Sequence, residues 1–298
     1  MKKILVTGAT GLVGSKFIEL YKDKYNFATP EYPVFDLTDK KNVSASLKSF
    51  QPEIVVNFAA YTNVGEAENQ RGQKDGDCWE INVSGSKNIL ENLPKGCKFI
   101  QISTDMIFPG SEKDPGPYEE NHSTDYPESE LTWYGYSKNI AEKEVIAKFG
   151  EEATILRLIY PVRAKYDLKL DYLRKPLSLF DQGKLYPLFN DQQISIASVD
   201  EVSLALEKII DGNFRGIFHA GSINTTTPFE LVSYMLEKVR GEKNAVEGVS
   251  IDTFLKDAKN PVRYPKFGGL STQWTQKTLG IKFSSWQDIV DKIAAEIV

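Results

Sequence analysis

Short apolar runs alternate with helix-like segments along the first half of the chain. The runs are rich in β-branched residues and lack polar alternation, which is typical of strands covered on both faces. They span residues 3–6, 53–58, 98–102 and 153–158. Apolar residues recur at helical spacing over residues 11–21, 40–50, 80–93 and 134–149. This alternation predicts an α/β fold with a doubly wound parallel sheet.

The pattern changes after Pro161. It predicts a helix over residues 200–210, a buried strand over 216–219, a helix that begins at Thr227-Pro228 and a C-terminal helix from Ser285. Because 298 residues exceed the usual single core, we expect two domains. The first domain is formed by residues 1–160, and residues 190–222 are expected to return to it. The second is a smaller C-terminal α/β lobe formed mainly by residues 161–298. Residues 108–133 have no clear period and predict a long surface loop, which is often functional.

Charge and hydropathy narrow the class of protein. The 36 basic and 41 acidic residues give a formal net charge of −5, and no basic run suggests a nucleic-acid partner. The apolar run Ile4-Leu5-Val6 is too short for a signal peptide, and no later segment has the length of a membrane span. We therefore expect a soluble, cytoplasmic protein with no membrane partner.

Cysteine and histidine are scarce. Cys78 and Cys97 lack CxxC spacing and are expected to be buried or half-buried thiols. The only histidines are His122 and His219, so we expect no histidine-rich metal site.

A glycine-rich stretch, T-G-A-T-G-L-V-G, follows the first strand directly at residues 7–14. Gly8, Gly11 and Gly14 have no Cβ, so backbone and ligand can approach closely where the strand turns onto a helix whose N-terminus faces a pyrophosphate. The same spacing is also compatible with any tight strand-to-helix turn. Its position after the first strand favours a nicotinamide dinucleotide site.

A second motif, Tyr134-Gly135-Tyr136-Ser137-Lys138, puts a phenol and an ammonium one helical turn apart. Hydride reduction of a ketone leaves an alkoxide that must be protonated. An ammonium nearby lowers the pKa of a phenol, so Tyr134 is the expected general acid and Lys138 its electrostatic partner and ribose contact. The alternative is an ordinary exposed helical pair, and residues 234–238 have the same YxxxK spacing without other signs of chemistry.

Together the motifs resemble those of the extended short-chain dehydrogenase/reductases, and within them the dTDP-4-dehydrorhamnose reductases. The similar stretches are residues 57–68, in which Gly65 replaces an acidic residue, 103–110 and 216–226. The resemblance covers nearly the whole chain. It implies an NAD(P)H-dependent reductase of the 4-keto group of a nucleotide-activated deoxysugar, and a homodimer.

The resemblance also implies site residues. The expected cofactor contacts are Gly8, Thr10, Gly11, Leu12, Val13, Gly14, Asp36, Leu37, Phe58, Ala59, Ala60, Tyr61, Ser103, Tyr134 and Lys138. The catalytic residues are Thr104, Tyr134 and Lys138, and the substrate contacts are Thr62, Val64, Asp105, Phe108 and Tyr160. Asn82 matches an asparagine that braces the active-site helix through a kink, although it also fits a plain helix interior. Glu31, near the expected end of the second strand, favours NAD over NADP.

Other functions stay open. A dehydratase has Asp-Glu directly after the threonine, whereas here Met106 follows Asp105, which disfavours that reaction. An epimerase-reductase has a cysteine near this aspartate, and this chain has none there. A sugar nucleotide epimerase, a regulatory subunit like that of methionine adenosyltransferase and a scaffold without cofactor remain alternatives. Tyr160 and residues 263–265 depart from the subfamily pattern, which leaves the nucleotide and the sugar undetermined.

Overall fold

The computed structural model describes residues 1–258, 260 and 264–297. Arg263, in one of the stretches that depart from the subfamily pattern, lies outside them. None of the helices within these ranges has the length and apolar character needed to cross a membrane.

The central sheet has six strands in the order β2-β1-β3-β4-β5-β9 and is parallel. Its strands are β1 (Lys3–Thr7), β2 (Asn26–Ala28), β3 (Ile54–Asn57), β4 (Lys98–Thr104), β5 (Thr154–Leu158) and β9 (Gly216–Ala220). Register pairs Ile4 with Ile54 and Ile54 with Lys98. The central strands are buried on both faces, so the expected α/β fold with a doubly wound parallel sheet is confirmed.

The helices of the first half are α1 (Gly14–Tyr21), α2 (Lys40–Phe50), α3 (Val64–Asn69), α4 (Asp77–Trp79), α5 (Gly85–Asn92) and α6 (Trp133–Phe149). The Asp39 carboxylate caps α2 by accepting from the N–H groups of Lys41 and Asn42. Two expectations need correction. Residues 11–13 form the glycine turn instead of a first helical turn, and the helix expected over 80–93 is a π-helical segment, Glu80–Ser84, followed by α5.

The remaining elements are β6 (Pro161–Val162), α7 (Arg174–Asp181), β7 (Leu188–Phe189), β8 (Ala197–Ser198), α8 (Val199–Asp211), α9 (Pro228–Arg240), β10 (Gly248–Val249), α10 (Ile251–Leu255), α11 (Gln273–Leu279) and α12 (Trp286–Ile297). Strands β6 and β8 pair with each other, as do β7 and β10. Thr227 and Glu230 form a capping box at the start of α9, with Pro228 in the first turn, as the sequence predicts.

The chain divides into two compact units. Unit 1 contains residues Met1–Ile107, Ser123–Arg157 and Leu206–Phe218, and unit 2 contains Phe108–His122, Leu158–Ala205 and His219–Val298. In unit 1, residues such as Leu5, Leu47, Val55 and Ile155 form one hydrophobic core. In unit 2, α9 and α12 contribute to another, which includes Leu231, Met235 and Val290.

Candidate active site

The glycine turn connects β1 to α1 and depends on close backbone contacts. Gly8 has a φ of 63°, and the Gly8 carbonyl oxygen accepts a hydrogen bond from the Gly11 N–H at 3.0 Å. A Cβ on Gly8 would lie 2.8 Å from the Ala59 nitrogen, and one on Gly14 would lie 2.5 Å from the Gly8 oxygen. Any side chain at these two positions would therefore push the turn away from its neighbours.

The helix that follows the turn is suited to an anion. Helix α1 begins after Val13 with no side-chain cap and no acidic residue in its first turn. Backbone N–H groups and the positive end of the helix dipole favour a phosphate there. Thr10 is exposed, and Gly11 and Leu12 are half-buried. The turn therefore fits the pyrophosphate of a dinucleotide.

A buried polar network fixes the strand ends behind this turn. The Thr7 hydroxyl donates to the Asn57 side-chain oxygen at 2.6 Å and accepts from the Ala59 N–H at 3.1 Å. The Asn57 side-chain nitrogen donates to Ser86 at 3.2 Å and to Gln101 at 3.1 Å. These bonds connect β1, β3, β4 and α5, and they orient the backbone of residues 58–60.

The region expected to meet the adenine follows strand β2. Strand β2 ends at Ala28, so Glu31 is three residues beyond the strand and exposed. Asp36 accepts from the N–H and hydroxyl of Thr38, and the Leu37 side chain is buried in the hydrophobic core. The inference of NAD from Glu31 stays a prediction.

The hydroxyls that the sequence assigns to catalysis come from the end of β4 and the start of α6. Thr104 is the last residue of β4, and a 3-10 turn, Asp105–Ile107, follows it. Thr132 caps α6 by accepting from the Gly135 N–H at 2.9 Å. The Thr104 and Tyr134 side chains lie close enough together for the Thr104 hydroxyl to lower the pKa of Tyr134. The structure thus brings together the two hydroxyls that the sequence assigns to catalysis.

Gly135 permits this approach, and the sequence analysis did not identify it. A Cβ at this position would lie 2.0 Å from the Met106 carbonyl oxygen, so α6 and the turn after β4 are in backbone contact. The available signal was a glycine inside a predicted helix, which is unfavourable unless a contact requires it.

Lys138 is buried, with 3% of its surface exposed. Its ammonium donates to the Ile102 carbonyl oxygen at 2.7 Å. Burial lowers the pKa of Lys138 to about 8, while the negative charge of Glu142, one turn further along α6, opposes that shift. An amine with this pKa is still mostly protonated at neutral pH and can lose its charge under mildly alkaline conditions.

The direction of the Tyr134 pKa shift is opposite to the one expected from the sequence. Burial raises the pKa of the phenol, and the nearby Asp105 carboxylate raises it further, while the hydrogen bond with Thr104 lowers it. Since neither burial nor the approach of Asp105 can be deduced from the YxxxK spacing, the expected net lowering was wrong. A phenol with a raised pKa is fully protonated at neutral pH.

Asp105 is the third group with a shifted pKa at this site. Thr104 Oγ1 donates to its carboxylate at 3.1 Å. Burial raises the pKa of Asp105 to about 7, and the hydrogen bond from Thr104 opposes the rise. Its charge therefore changes near neutral pH beside the phenol.

Asn82 lies in the π-helical segment and bridges two parts of the site. Its side-chain oxygen accepts from the Tyr61 N–H at 2.8 Å, and its nitrogen donates to Ser137 Oγ at 2.9 Å. Ser137 in turn donates to the Tyr134 carbonyl oxygen at 2.7 Å. Short π-helical insertions are frequent at functional sites, and this one turns Asn82 towards the start of α6, which agrees with the expected bracing role.

Two charged groups support α6 and were not found in the sequence. Glu142 forms a bidentate ion pair with Arg157 of β5, and both side chains are 1% exposed. Arg71 donates to the carbonyl oxygens of Glu128 and Leu131 at 3.1 and 2.7 Å, just before α6 begins. The sequence signal for the ion pair between Glu142 and Arg157 was a carboxylate four residues after Lys138.

The remaining expected ligand contacts belong to several elements. Phe58, Ala59, Ala60 and Tyr61 are half-buried after β3, Thr62 is exposed and Val64 begins α3. Ser103 Oγ is buried and has no hydrogen-bond partner among the described residues. Phe108 and Tyr160 belong to unit 2, where each ring packs 4.1 Å, centroid to centroid, from a tyrosine ring: Tyr118 and Tyr172 respectively.

The second YxxxK pair has a structural explanation. The Tyr234 hydroxyl donates to the Asp291 carboxylate at 3.1 Å, and Lys238 forms a salt bridge with the same carboxylate at 2.9 Å. The pair connects α9 to α12. Its surroundings differ from those of the first pair, in which Tyr134 is half-buried and Lys138 is buried.

A parallel doubly wound sheet with a glycine turn after its first strand and a Thr-Tyr-Lys group at the end of its fourth is the arrangement of the extended short-chain dehydrogenase/reductases. The family model described as the RmlD substrate binding domain matches residues 1–298. The chain therefore belongs to that family, and the family resemblance stated from the motifs is confirmed.

Individual relatives are similar to this chain over nearly its whole length. The dTDP-4-dehydrorhamnose reductase of Sinorhizobium fredii is 26% identical over 297 residues, which cover 96% of this chain and 94% of that protein. The methionine adenosyltransferase 2 subunit beta of Pongo abelii is 24% identical over 315 residues, covering 98% and 89%. The crystal structure of dTDP-4-dehydrorhamnose reductase from Bacillus anthracis in complex with NADP has a TM-score of 0.83 at 23% identity, with 100% of both chains covered, and this likeness establishes the fold.

Proposed function

We propose that this protein is an NAD(P)H-dependent reductase that transfers hydride to the 4-keto group of a nucleotide-activated deoxysugar. The observation that carries the proposal is the proximity of the Thr104 and Tyr134 side chains, with the buried Lys138 one turn along α6. Membership of the family and the names of its reductase relatives support the same reaction.

Each residue of the group has a chemical role in that reaction. NADH or NADPH, held by the glycine turn and the start of α1, supplies the hydride when bound. Tyr134 donates its hydroxyl proton to the substrate oxygen as the carbonyl carbon accepts the hydride, so the ketone becomes an alcohol. Thr104 donates a second hydrogen bond to that oxygen, and Lys138 stabilises the phenolate left on Tyr134 and binds the cofactor ribose.

The raised pKa of Tyr134 suits the reducing direction. A protonated phenol is the form that can donate, and the substrate alkoxide is a much stronger base than the phenolate. Asp105 controls the cost of forming that phenolate, because its carboxylate is a like charge beside it. Protonation of Asp105 therefore assists proton donation by Tyr134.

A Tyr134→Phe variant tests the mechanism. It removes only the hydroxyl, and loss of a general acid costs about 10²–10⁴-fold in turnover. Oxidation of NADH and NADPH is followed against a panel of 4-keto nucleotide sugars that includes the dTDP-linked one. Tyr234→Phe is the matched control and should leave turnover unchanged. Equal turnover of Tyr134→Phe and the unmodified protein would exclude Tyr134 as the proton donor.

A regulatory, non-catalytic subunit is the second candidate, because the methionine adenosyltransferase relative covers almost the whole chain. Intact Thr104, Tyr134 and Lys138 favour the reductase. Titration with NADH and NADPH, followed by nicotinamide fluorescence, separates both functions from a scaffold that binds no cofactor. Cofactor binding without reduction of any substrate in the panel would favour the regulatory subunit.

Several finer assignments belong to the same proposal. The expected cofactor contacts belong to unit 1, as do the expected substrate contacts Asp105, Thr62 and Val64, and Phe108 and Tyr160 belong to unit 2. The protein acts in the cytoplasm as a homodimer, which sedimentation velocity would test directly.

A further inference from the structure

Unit 1 contains a cavity at the opposite end of β4 from Thr104. Its volume is about 420 Å³, and it is lined by residues 93–99, Lys148, Phe149, Glu152, Thr154 and Arg215. Strand β4 runs for seven residues between Lys98 and Thr104, which separates the cavity from the catalytic hydroxyls by about 20 Å. It is therefore distinct from the candidate active site.

The lining of this cavity is strongly basic although the whole chain is acidic. Its cations are Lys95, Lys98, Lys148 and Arg215, and its one carboxylate is Glu152. Arg215 Nε donates to that carboxylate at 3.0 Å. These residues come from the loop before β4, the start of β4, the end of α6 and the loop before β9, so the tertiary structure gathers the positive charge.

Lys98 distinguishes the cavity from an ordinary basic surface. Its ammonium nitrogen is shielded from solvent and has no hydrogen-bond partner among the residues the structure describes. A buried ammonium without a partner is unfavourable because it has lost its hydration. Lys148 lies in the last turn of α6, where a cation is favourable in any case, but no comparable explanation applies to Lys98.

We propose that this cavity binds a small phosphate-bearing molecule. Phosphate oxygens would accept hydrogen bonds from the guanidinium of Arg215 and, once its side chain turns into the cavity, from the Lys98 ammonium. Leu93, Phe99 and Phe149 provide apolar wall for the rest of the ligand. The volume lies within the range usual for small-molecule sites, about 300–1,000 Å³.

Calorimetric titration with inorganic pyrophosphate tests the proposal on the full chain. Lys98→Met should weaken binding about tenfold or more, since it removes a charge-assisted hydrogen bond. Lys22→Met, which changes an exposed lysine, is the matched control and should bind as the unmodified protein does. Pyrophosphate bound at the glycine turn would be retained in both variants, so the difference between them reports the cavity alone.

Thermal unfolding without ligand supplies a second readout. Lys98→Met removes a buried, unpartnered charge and should raise the midpoint, whereas Lys22→Met should not. If Lys98→Met does not fold, Lys148→Met at the same cavity replaces it, again with weaker pyrophosphate binding expected. Absence of pyrophosphate binding to the unmodified protein, or equal affinity in the cavity variant and the control, would overturn the proposal.

Discussion

Gly135 provides the sharpest test of how the site is assembled. The substitution Gly135→Ala would place a Cβ 2.0 Å from the Met106 carbonyl oxygen, whereas ordinary contacts of this kind begin at 3.4 Å. The oxygen belongs to the backbone and cannot rotate away. The start of α6 and the turn after β4 must therefore separate by about 1 Å or more, which moves Tyr134 relative to Thr104.

The expected effect on stability is smaller than the effect on catalysis. Overpacking costs about 1–3 kcal/mol, and alanine recovers at most about 1 kcal/mol of helix propensity. The net loss of up to about 2 kcal/mol lowers the unfolding midpoint by several degrees. A displacement of about 1 Å in a catalytic group costs on the order of 10²-fold in rate.

The assay combines NAD(P)H oxidation with thermal unfolding of the same preparations. Ala147→Gly is a matched control, because it makes the reverse change at an exposed position of the same helix. It should lower stability by about 1 kcal/mol with little change in kcat/KM. A Gly135→Ala protein whose kcat/KM stays within a few-fold of the unmodified value would refute the argument that this backbone contact sets the catalytic geometry.

Two further predictions concern buried charges. Because burial raises the pKa of Asp105 to about 7, the folded state holds this proton more tightly than the unfolded chain does. Stability should fall as pH rises from about 4 to about 7, by at most about 1.4 kcal/mol per unit. Asp105→Asn should remove that part of the slope in unfolding measured across this range, and an unchanged slope would count against the shifted pKa. Glu142→Gln leaves Arg157 buried without its carboxylate and should cost about 3–5 kcal/mol in denaturant unfolding. Glu144→Gln, on the same helix with a more exposed partner, should change stability by less than about 1 kcal/mol, and equal losses would contradict the distinction.

The sequence predicts the layout of the sheet well, because strands covered on both faces leave uninterrupted apolar runs. The runs at β1, β3, β4 and β5 each correspond to an observed strand. Helix α2 begins and ends at the residues expected, and the Thr227-Pro228 start of α9 follows from local capping chemistry. These signals depend on neighbours in the chain, which a single sequence contains.

Elements whose first and last residues depend on contacts with distant parts of the chain are harder to predict from the sequence. The π-helical segment at Asn82 has ordinary helical periodicity, and its purpose appears only when the Tyr61 backbone and the Ser137 side chain are seen on either side of it. The end of β2 is another such case, because it is set by the pairing of Asn26–Ala28 with β1. The strand ends three residues before Glu31, and the inference of NAD from that residue stays a prediction.

The sequence by itself determined the class of fold, the family, and the identity of the hydroxyls and the ammonium, since each has a local motif. Tertiary structure alone decided their acidities: burial and Asp105 raise the pKa of Tyr134, and burial lowers that of Lys138. It also decided that Gly135 must be a glycine and that Lys98 lines the same cavity as three other cationic residues. The physical reason is that electrostatic energies depend on solvent exclusion and on distances between residues far apart in the chain, neither of which is set by spacing along it.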